Sequence, residues 1–300
     1  MANEKPAGYV GRFAPSPTGP LHFGSLLAAT ASYLEAITRS GRWLLRIEDI
    51  DPPRASPHAE TYIVEALESY GFEWHGGVQL QSRAISRHLA LVDKLLADGF
   101  AYPCSCSRQD LANALRGPLG GIYPGTCRRG CEGVDVAIRV RTDALPVAFH
   151  DLLQGRQAQR LEPESGDFVI RRRDGLIAYH LAVVADDFAH GVTHIVRGID
   201  LLDSTPRQIY LQQILGYPTP EYAHIPIGIN RSGEKLGKST GAAAIATDEV
   251  RPTLIAALLA LGQNPPAQLV ECHLDVIWSW ARENWNIGVL AGQTRLPMPP

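Results

Sequence analysis

The N-terminal third of the chain alternates between stretches typical of buried strands and stretches typical of helices. These predicted elements follow one another at Tyr9–Ala14, Ser25–Ser40, Trp43–Ile47, His58–Tyr70 and Ala84–Asp98. Apolar residues recur at helical spacing in the second stretch, and Gly41 stands where a helix commonly ends. Because parallel strands need a crossover connection, which is usually a helix, the alternation predicts an α/β protein built on a parallel sheet.

The regular alternation stops near residue 101. Residues 101–133 are rich in cysteine, glycine, proline and arginine. Further on, Asp174-Gly175 stands between FVIRRR and LIAYHLAVV, which is a hairpin signal. The parallel pattern resumes at VTHIVRG, and the following helix is predicted to have Thr205 as its N-cap and Pro206 at its first position.

These changes divide the chain into four predicted parts. They are the first half of the α/β domain (residues 1–100), an inserted subdomain (residues 101–187), the second half of the α/β domain (residues 188–240) and a helical C-terminal extension (residues 241–300). The extension carries helical patterns at Val250–Leu261 and Leu274–Asn286.

Composition excludes several classes of protein. Hydrophobic residues make up 45% and charged residues 20% of the chain, so we expect a folded globular protein. The net charge of −3 argues against bulk attraction to nucleic acid, although it leaves room for a local basic surface. The polar start MANEKPAG has no signal-peptide core, and no run is apolar enough to cross a bilayer. We therefore expect a cytoplasmic protein with no membrane partner.

The tetrapeptide HFGS stands between a turn rich in proline and glycine and the first predicted helix. A helix N-terminus offers unpaired N–H groups and a positive dipole end, which attract phosphate, and His22 adds a donor there. The alternative is an ordinary helix start with a buried histidine. The tetrapeptide alone favours the ordinary helix start, since most matches to a single short motif are accidental.

A second polar segment, RSGEKLGKST, lies late in the chain. Its spacing approaches that of a phosphate-binding P-loop, but Ser232 stands where that motif needs glycine, and no strand leads straight into the segment. A loop that carries Lys235 and Lys238 could close on a triphosphate, and the alternative is a solvated basic loop.

Four of the five cysteines lie close together in the predicted insertion. In a cytosolic chain such a cluster indicates a metal more often than disulfides. The C-x-C spacing of Cys104 and Cys106, with the C-x3-C spacing of Cys127 and Cys131, by itself predicts a four-cysteine zinc site. Free thiols in a loop are the alternative, which the C-x-C pair disfavours.

Five stretches, taken in order, resemble one family of enzymes. They are APSPTGPLHFGS, LRIEDID, YHLA, VRGID and KLGKS. This order resembles the glutamyl branch of the class I aminoacyl-tRNA synthetases over residues 11–239, with HFGS in place of the HIGH signature and KLGKS in place of KMSKS. The resemblance implies a Rossmann-type doubly wound parallel sheet, interrupted by a zinc-bearing insertion and followed by a short helical part.

Two departures from that branch point to its truncated glutamyl-queuosine paralogues. About 60 residues follow Ser239, too few for an anticodon-binding domain, and the insertion carries C-S-C followed by Y-P-G-T-C. The paralogues use ATP to activate L-glutamate and attach it to queuosine in the anticodon loop of tRNA(Asp), so the implied partners are ATP, L-glutamate and that tRNA, bound by a monomer. The alternatives are a shortened enzyme that charges a tRNA 3′ end, a ligase with another acceptor, and a non-catalytic RNA- or zinc-binding module.

The resemblance also implies residues that bind the amino acid. The groups that would hold its carboxylates are Arg12, Ser16, Tyr179 and Arg197. Glu48 would hold its ammonium group, and the pocket floor would be formed by Arg12, Phe13, Ala14, Pro15 and Ser16. Arginine suits the first task because its planar fork of donors matches a carboxylate. A surface role for Glu48 and a structural ion pair for Arg197 are the alternatives.

The remaining implied sites bind ATP and zinc. His22, Gly24 and Ser25 would hold the phosphates of ATP with its Mg²⁺, and Lys238, with help from Lys235, would neutralise the charge that develops during catalysis. The implied structural zinc ligands are Cys104, Cys106, Tyr123 and Cys127. Cys131 stays open as the fourth ligand in place of Tyr123, because thiolate is the commoner ligand in structural sites.

Overall fold

The computed structural model describes residues 8–107, 109–112, 114–117, 120–229 and 243–297. Its strands are β1 (Val10–Phe13), β2 (Arg42–Ile47), β3 (Gln79–Leu80), β4 (Ala101–Cys104), β5 (Arg116–Gly117), β6 (Gly120–Gly121), β7 (Ala137–Val140), β8 (Pro146–Asp151), β9 (Gly155–Arg160), β10 (Val169–Arg171), β11 (His194–Gly198), β12 (Glu221–Ile225), β13 (Ile227–Ile229) and β14 (Arg295–Pro297). Its α-helices are α1 (Phe23–Ile37), α2 (Ala59–Ser69), α3 (Ile85–Ala97), α4 (Leu161–Glu164), α5 (Tyr179–Ala189), α6 (Thr205–Leu215), α7 (Val250–Ala260) and α8 (Leu274–Asn284).

A parallel sheet forms the centre of the molecule. β1, β2 and β3 pair in that order, and β11 pairs with β12, all in parallel. The amide of Thr193 donates to the carbonyl of Val10 at 2.9 Å, so β11 lies beside β1 and joins the two sets of strands. The order β3-β2-β1-β11-β12 is that of a doubly wound Rossmann-type sheet, which confirms the predicted α/β fold class.

Helices cover both faces of this sheet because β2 is apolar on both sides. Trp43, Leu45 and Ile47 face one core, to which α1, α2, α7 and α8 contribute. Leu44 faces the opposite core, which α3, α5 and α6 complete. Side chains alternate across a strand, so Arg46 lies on the same face as Leu44 and is directed toward α5.

The region between the two halves of the sheet contains a second, antiparallel sheet in the order β10-β7-β4. The strands β8 and β9 form a hairpin that extends the central sheet instead, since β8 pairs with β12 between Asp151 and Tyr222. A buried carboxylate ties the small sheet to the cysteine-rich segment, because Asp167 accepts hydrogen bonds from Arg128 and Thr142. The predicted domain boundaries stay predictions.

Two local predictions from the sequence differ from the structure: the first holds only in part and the second is wrong. The hairpin at Asp174-Gly175 is limited to a turn and an isolated bridge between Arg171 and Ile177, because the stretch from Tyr179 onward forms α5 and not a strand. The N-cap of α6 is Ser204, and the Thr205 hydroxyl donates to the carbonyl of Leu201. The Thr205 hydroxyl is also the acceptor for NH2 of Arg197, so it is engaged in the pocket and not at the start of α6. In the hairpin region, burial of α5 in the core outweighs the local turn preference.

The C-terminal helices pack against the first helix of the sheet. Trp278 of α8 donates to the carbonyl of Tyr70 at 2.9 Å, and Trp285 donates to Glu35 of α1 at 2.7 Å. These contacts attach the chain beyond residue 243 to the same core as α1. Among the residues that the structure describes, no helix is both long and apolar enough to span a membrane.

Candidate active site

The HFGS segment forms the first turn of α1. His22 is the N-cap, and its ring nitrogen Nδ1 accepts a hydrogen bond from the amide of Ser25 at 3.2 Å. A neutral imidazole that accepts through Nδ1 carries its proton on Nε2, so Nε2 is the donor of this ring. No acidic side chain lies in the first turn of α1, whose N-terminus therefore keeps its attraction for an anion at half-buried Gly24 and Ser25.

The segment that follows KLGKS returns to this helix start. Ala244 pairs with His22 in an antiparallel bridge, and the amide of Ile245 donates to the carbonyl of Leu21 at 2.9 Å. KLGKS itself, with Lys235 and Lys238, lies outside the described residues. The structure brings Ala244 and Ile245, which follow it in the chain, to the HFGS turn.

Arg12 and Arg46 meet a carboxylate of α5 on one face of the sheet. Arg12 Nε lies 3.2 Å and Arg46 NH1 lies 2.7 Å from Oδ1 of Asp187. Arg46 NH2 also lies 3.2 Å from Oε1 of Glu48, and all four side chains are buried. Two cations and two carboxylates thus share one desolvated cluster at the carboxyl ends of β1 and β2.

The two acids of this cluster differ in their pKa. Burial alone would raise the pKa of Asp187, but Arg12 and Arg46 lower it below its ordinary range. Burial raises the pKa of Glu48, and the neighbouring Arg46 and Arg12 only partly offset that effect. Asp187 is therefore the firmly ionised partner of the arginines, and Glu48 is the carboxylate that gains most from a further cation.

Tyr179 and Arg197 complete the predicted set of binding residues. Burial raises the pKa of the Tyr179 phenol, Glu48 raises it further, and Arg197 and Arg12 lower it. The phenol therefore lies within electrostatic reach of all three charged residues. The structure brings Arg12, Glu48 and Arg197 near Tyr179, and their task in binding an amino acid stays a prediction.

Arg197 is a buried cation whose hydrogen-bond acceptors in the described part of the chain are all neutral. Its Nε donates to His224 Nε2 at 3.0 Å, and its NH2 donates to the Thr205 hydroxyl at 2.8 Å and to the Leu201 carbonyl at 3.4 Å. Among the described residues, NH1 has no hydrogen-bond partner. A buried guanidinium that lacks a carboxylate partner is costly, so this site favours an anionic ligand.

The predicted pocket floor contributes mainly its backbone. Phe13 points into the core, where its ring stacks on Trp43 with centroids 6.2 Å apart. The carbonyl of Pro15 accepts from the amide of Glu48 at 3.0 Å, which lays the segment with Ala14 across the end of β2. Ser16 is exposed beyond it.

The sequence analysis missed several buried polar residues around this pocket. These are Arg46, Asp151, Asp187, Thr205 and His224. Two signals could have found part of them: the adjacent acids in the apolar stretch VVADDFA, and the histidine in the strand EYAHI.

The cysteine cluster lies at the end of β4. The sulfurs of Cys104, Cys106 and Cys127 all lie within 4.8 Å of one another. The Tyr123 hydroxyl is 3.3 Å from the sulfur of Cys104 and 3.6 Å from that of Cys106. Cys131 instead directs its sulfur to the carbonyl of Pro103 at 3.3 Å. The structure therefore brings Tyr123, and not Cys131, to the three thiols.

These distances suit a tetrahedral metal site. Metal–sulfur bonds of about 2.3 Å in a tetrahedron place the sulfurs about 3.8 Å apart. The sulfurs of Cys106 and Cys127 are 3.6 Å apart. Arg139 lies with its guanidinium 4.0 Å from the centre of the Tyr123 ring and donates to Cys104 at 3.3 Å, so it can balance thiolate charge.

Known proteins with similar sequences identify the family of this chain. The family described as "tRNA synthetases class I (E and Q), catalytic domain" matches residues 9–121 and 124–268. A protein named Glutamyl-Q tRNA(Asp) synthetase from Ectopseudomonas mendocina (strain ymp) is 52% identical over 279 residues, which are 93% of each chain. A protein of the same name from Dechloromonas aromatica (strain RCB) is 48% identical over 97% of this chain and 98% of its own. The chain belongs to the class I (E and Q) tRNA synthetases, and within them to the glutamyl-Q tRNA(Asp) synthetase family.

Solved structures of class I synthetases share the fold of this family member. A glutamate tRNA ligase from Elizabethkingia meningosepticum, solved with its amino acid, superposes with a TM-score of 0.80 at 23% identity. The match covers 99% of this chain and 67% of the ligase. The glutamate-tRNA synthetase from Elizabethkingia anophelis gives 0.79 at 22% identity, over 96% of this chain and 68% of its own. The described chain thus has the architecture of about two thirds of those longer enzymes.

Proposed function

We propose that this protein is an ATP-dependent ligase that forms glutamyl-adenylate and transfers glutamate to queuosine in tRNA(Asp). The observation that carries the proposal is the presence in one pocket of Arg197, a buried cation with no acid partner among the described residues, and of Glu48, a buried acid whose pKa is raised. Such a pocket suits a ligand that has a carboxylate on its side chain and an ammonium group. The acceptor follows from the name that relatives about 50% identical carry.

Each binding residue has a distinct task in this proposal. Arg197 binds the side-chain carboxylate of glutamate, and Tyr179 donates to a carboxylate oxygen. Glu48 accepts from the substrate ammonium group, which offsets the cost of burying this acid. Arg12 faces the carboxylates from the end of β1, and Asp187 holds it in place at 3.2 Å. The backbone of residues 13–16 closes the floor.

ATP binds at the first turn of α1 in this proposal. The N–H group of Gly24, the hydroxyl of Ser25 and Nε2 of His22 donate to phosphate oxygens, and Mg²⁺ accompanies the triphosphate. Lys238, with help from Lys235, neutralises charge on the phosphates in the transition state. The position of Ala244 beside His22 supports this task for the lysines, because it brings the neighbouring chain to the same helix end.

Two group transfers follow. A carboxylate oxygen of glutamate attacks the α-phosphorus of ATP, a phosphorus–oxygen bond forms, and pyrophosphate leaves with the electrons of the broken bond. A hydroxyl of queuosine then attacks the carbonyl carbon of the adenylate, loses its proton, and displaces AMP. The protein contributes position and electrostatic stabilisation to both steps.

The cysteine cluster holds a structural zinc ion in this proposal. Three thiolates and the Tyr123 oxygen supply four donors, which is the usual number in structural zinc sites. Bound zinc would join the end of β4 to the segment of Tyr123 and Cys127, where few apolar side chains pack. The monomeric state stays a prediction.

Transfer of labelled glutamate tests the function. Purified protein, ATP and labelled glutamate are incubated with tRNA(Asp) and tRNA(Glu), each with and without queuosine and each with and without its 3′-terminal adenosine. We expect label only on queuosine-bearing tRNA(Asp), whether or not the terminal adenosine is present. Label on tRNA(Glu) that requires the terminal adenosine would mean a shortened charging enzyme. Absence of glutamate-dependent ATP–pyrophosphate exchange would mean a non-catalytic binding module.

A further inference from the structure

Behind Arg197 lies a buried line of side chains that ends in a carboxylate. Oδ2 of Asp151, at the end of β8, is 2.5 Å from Nδ1 of His224, which lies on β12. On the other side of the ring, Nε2 of His224 accepts from Nε of Arg197 at 3.0 Å. Asp151 and His224 are fully buried, and Arg197 is only 5% exposed.

The carboxylate fixes which ring nitrogen of His224 carries the proton. Oδ1 of Asp151 accepts from the backbone amides of Leu153, Gln154 and His224, so this carboxylate is held in one orientation. Its Oδ2 requires a donor at Nδ1, and a neutral ring protonated there offers Nε2 as an acceptor. Burial, and then Arg197, lower the pKa of His224 despite the opposing effect of Asp151, which keeps the ring neutral.

His224 and Thr205 together leave the guanidinium one orientation. Nε is taken by His224 and NH2 by the Thr205 hydroxyl, and NH1 is the nitrogen that has no partner among the described residues. The neutral ring aligns the guanidinium of Arg197 and leaves its positive charge intact. A carboxylate in the place of the ring would instead cancel that charge. The negative charge of Asp151 is separated from the guanidinium by the His224 ring.

We propose that Asp151 and His224 are positioning residues that hold the Arg197 guanidinium with NH1 toward the substrate's side-chain carboxylate, and that they thereby set the preference for glutamate over glutamine. This inference rests on the proposed function, because it assigns a task within the same amino acid pocket. A merely structural role for the pair would change stability but not the ratio of the two amino acids.

Two substitutions of His224 separate its two hydrogen bonds. In His224→Gln the side-chain oxygen takes the place of Nε2 and can still accept from Arg197. In His224→Asn the amide takes the place of Nδ1, so the contact with Asp151 is kept and the acceptor for Arg197 is lost. His150→Asn is the matched control, because His150 is the exposed neighbour of Asp151 on the same strand.

The measurement is amino acid-dependent ATP–pyrophosphate exchange by the full chain, with thermal unfolding as a check on folding. Loss of a hydrogen bond to a charged group predicts that His224→Asn raises the KM for glutamate roughly 10- to 100-fold. We expect the KM for ATP to stay unchanged and the preference in kcat/KM for glutamate over glutamine to fall by a similar factor. His224→Gln should stay within about fivefold of the wild type, as should His150→Asn.

Asp151→Asn is a second variant that does not depend on replacing the ring. Its amide oxygen can replace Oδ1 and keep the three backbone bonds, while its NH2 group takes the place of Oδ2 and opposes Nδ1–H. The ring should then move its proton to Nε2, so that a donor faces Arg197 and the glutamate KM rises as in His224→Asn.

The outcomes distinguish this inference from the proposed function. If the wild type catalyses exchange and both His224→Asn and Asp151→Asn keep its glutamate KM and its preference, the inference is wrong and the function stands. An equal rise in the KM values for glutamate and ATP would also overturn it, because that is what general loosening of the site predicts. If the wild type shows no glutamate-dependent exchange, the proposed function and the inference fail together.

Discussion

Glu48 is the residue whose assigned task can be tested most directly. It is buried beside Arg46 at 3.2 Å, and its pKa is raised by that burial. Replacing its carboxylate in Glu48→Gln removes a charged acceptor for the substrate ammonium, so the KM for glutamate should rise by roughly 10- to 100-fold. The KM for ATP should not change, and both are measured by pyrophosphate exchange. Glu60→Gln, at an exposed position of α2, is the matched control. An unchanged glutamate KM in a folded Glu48→Gln protein would remove Glu48 from the pocket.

The fourth ligand of the cysteine cluster is decided by metal content. Cys131→Ser should retain zinc, because the Cys131 sulfur is directed to the carbonyl of Pro103 and not to the other thiols. Cys127→Ser should lose it, and Tyr123→Phe should bind it more weakly, since each removes a donor at the cluster. Zinc per protein chain after dialysis against a chelator is the measurement. Retention by Tyr123→Phe together with loss from Cys131→Ser would reverse the assignment.

At this scale the sequence predicts the residues that stand in motifs and misses those that act through them. Glu48 and Arg197 lie in quoted stretches whose order resembles one family, and Arg12 lies two positions before the first of these stretches. Asp151 lies 73 positions before His224, and neither stands in such a stretch. Their contact exists only because β8 pairs with β12, and no local pattern records that pairing.

Among the elements, the segment that joins α4 to β10 is unusually close to the cysteine-rich chain. Gly166 has a φ of +67°, and a Cβ built there would lie 2.5 Å from the Tyr123 carbonyl oxygen and 2.6 Å from its amide nitrogen. Gly166→Ala should therefore destabilise this part by more than the strain of about 1–2 kcal/mol that a left-handed alanine brings.

The control for this prediction is Gly175→Ala. Gly175 also has a positive φ, +87°, but a Cβ there meets nothing within 4 Å, so it brings the strain without the collision. Urea denaturation and the rate of zinc release compare the two variants. Equal losses of stability, with equal zinc release, would mean that the approach of Gly166 to Tyr123 has no energetic consequence.

The helices and strands were predicted well where the spacing of apolar residues in the sequence matches their burial in the core. The helix predicted at Ser25–Ser40 is observed as α1 at Phe23–Ile37, because its apolar spacing matches the core that buries it. The stretch after Asp174-Gly175 was misjudged, since a run such as LIAYHLAVV fits a buried strand or a buried helix equally. Its burial against both α3 and α6 decides for the helix.

At the scale of the whole molecule, the alternation of strands and helices was enough to predict a parallel sheet, but not its full width. The hairpin of β8 and β9 lies within the predicted insertion and yet extends the central sheet beyond β12. The hairpin is joined to β12 through the single residue pair of Tyr222 and Asp151. No run of alternating residues in the sequence predicts this junction. This junction also supplies Asp151 to the pocket, which links the extent of the sheet to the proposed selection of glutamate.

The stability of the whole molecule should fall as pH falls, in two stages. Burial lowers the pKa of four histidines, among which His180 falls to about 3. Within the described residues these histidines are His180, His190, His194 and His224. These rings become protonated near pH 6.5 in the unfolded chain but stay neutral in the folded chain. The unfolded protein therefore binds more protons than the folded protein in this range of pH. The free energy of unfolding therefore decreases below about pH 6.5, and His180, whose pKa is about 3, contributes up to about 1.4 kcal/mol per pH unit to this decrease.

The second stage comes from carboxylates whose pKa is lowered in the folded state. Burial would raise the pKa of Asp186, but hydrogen bonds from His88 and Arg87 bring it to about 2. Its contribution to the free energy of unfolding is complete above the unfolded pKa near 4 and is lost as pH falls from there toward 2.

Thermal unfolding at constant ionic strength should therefore show a falling Tm between pH 6.5 and 5, where aspartates do not titrate, and a further decrease below pH 4. His180→Gln should weaken the first decrease and leave the second, because it removes one buried ring and no carboxylate. A Tm that is constant from pH 7 to 5 would show that the buried rings titrate alike in the folded and unfolded chains.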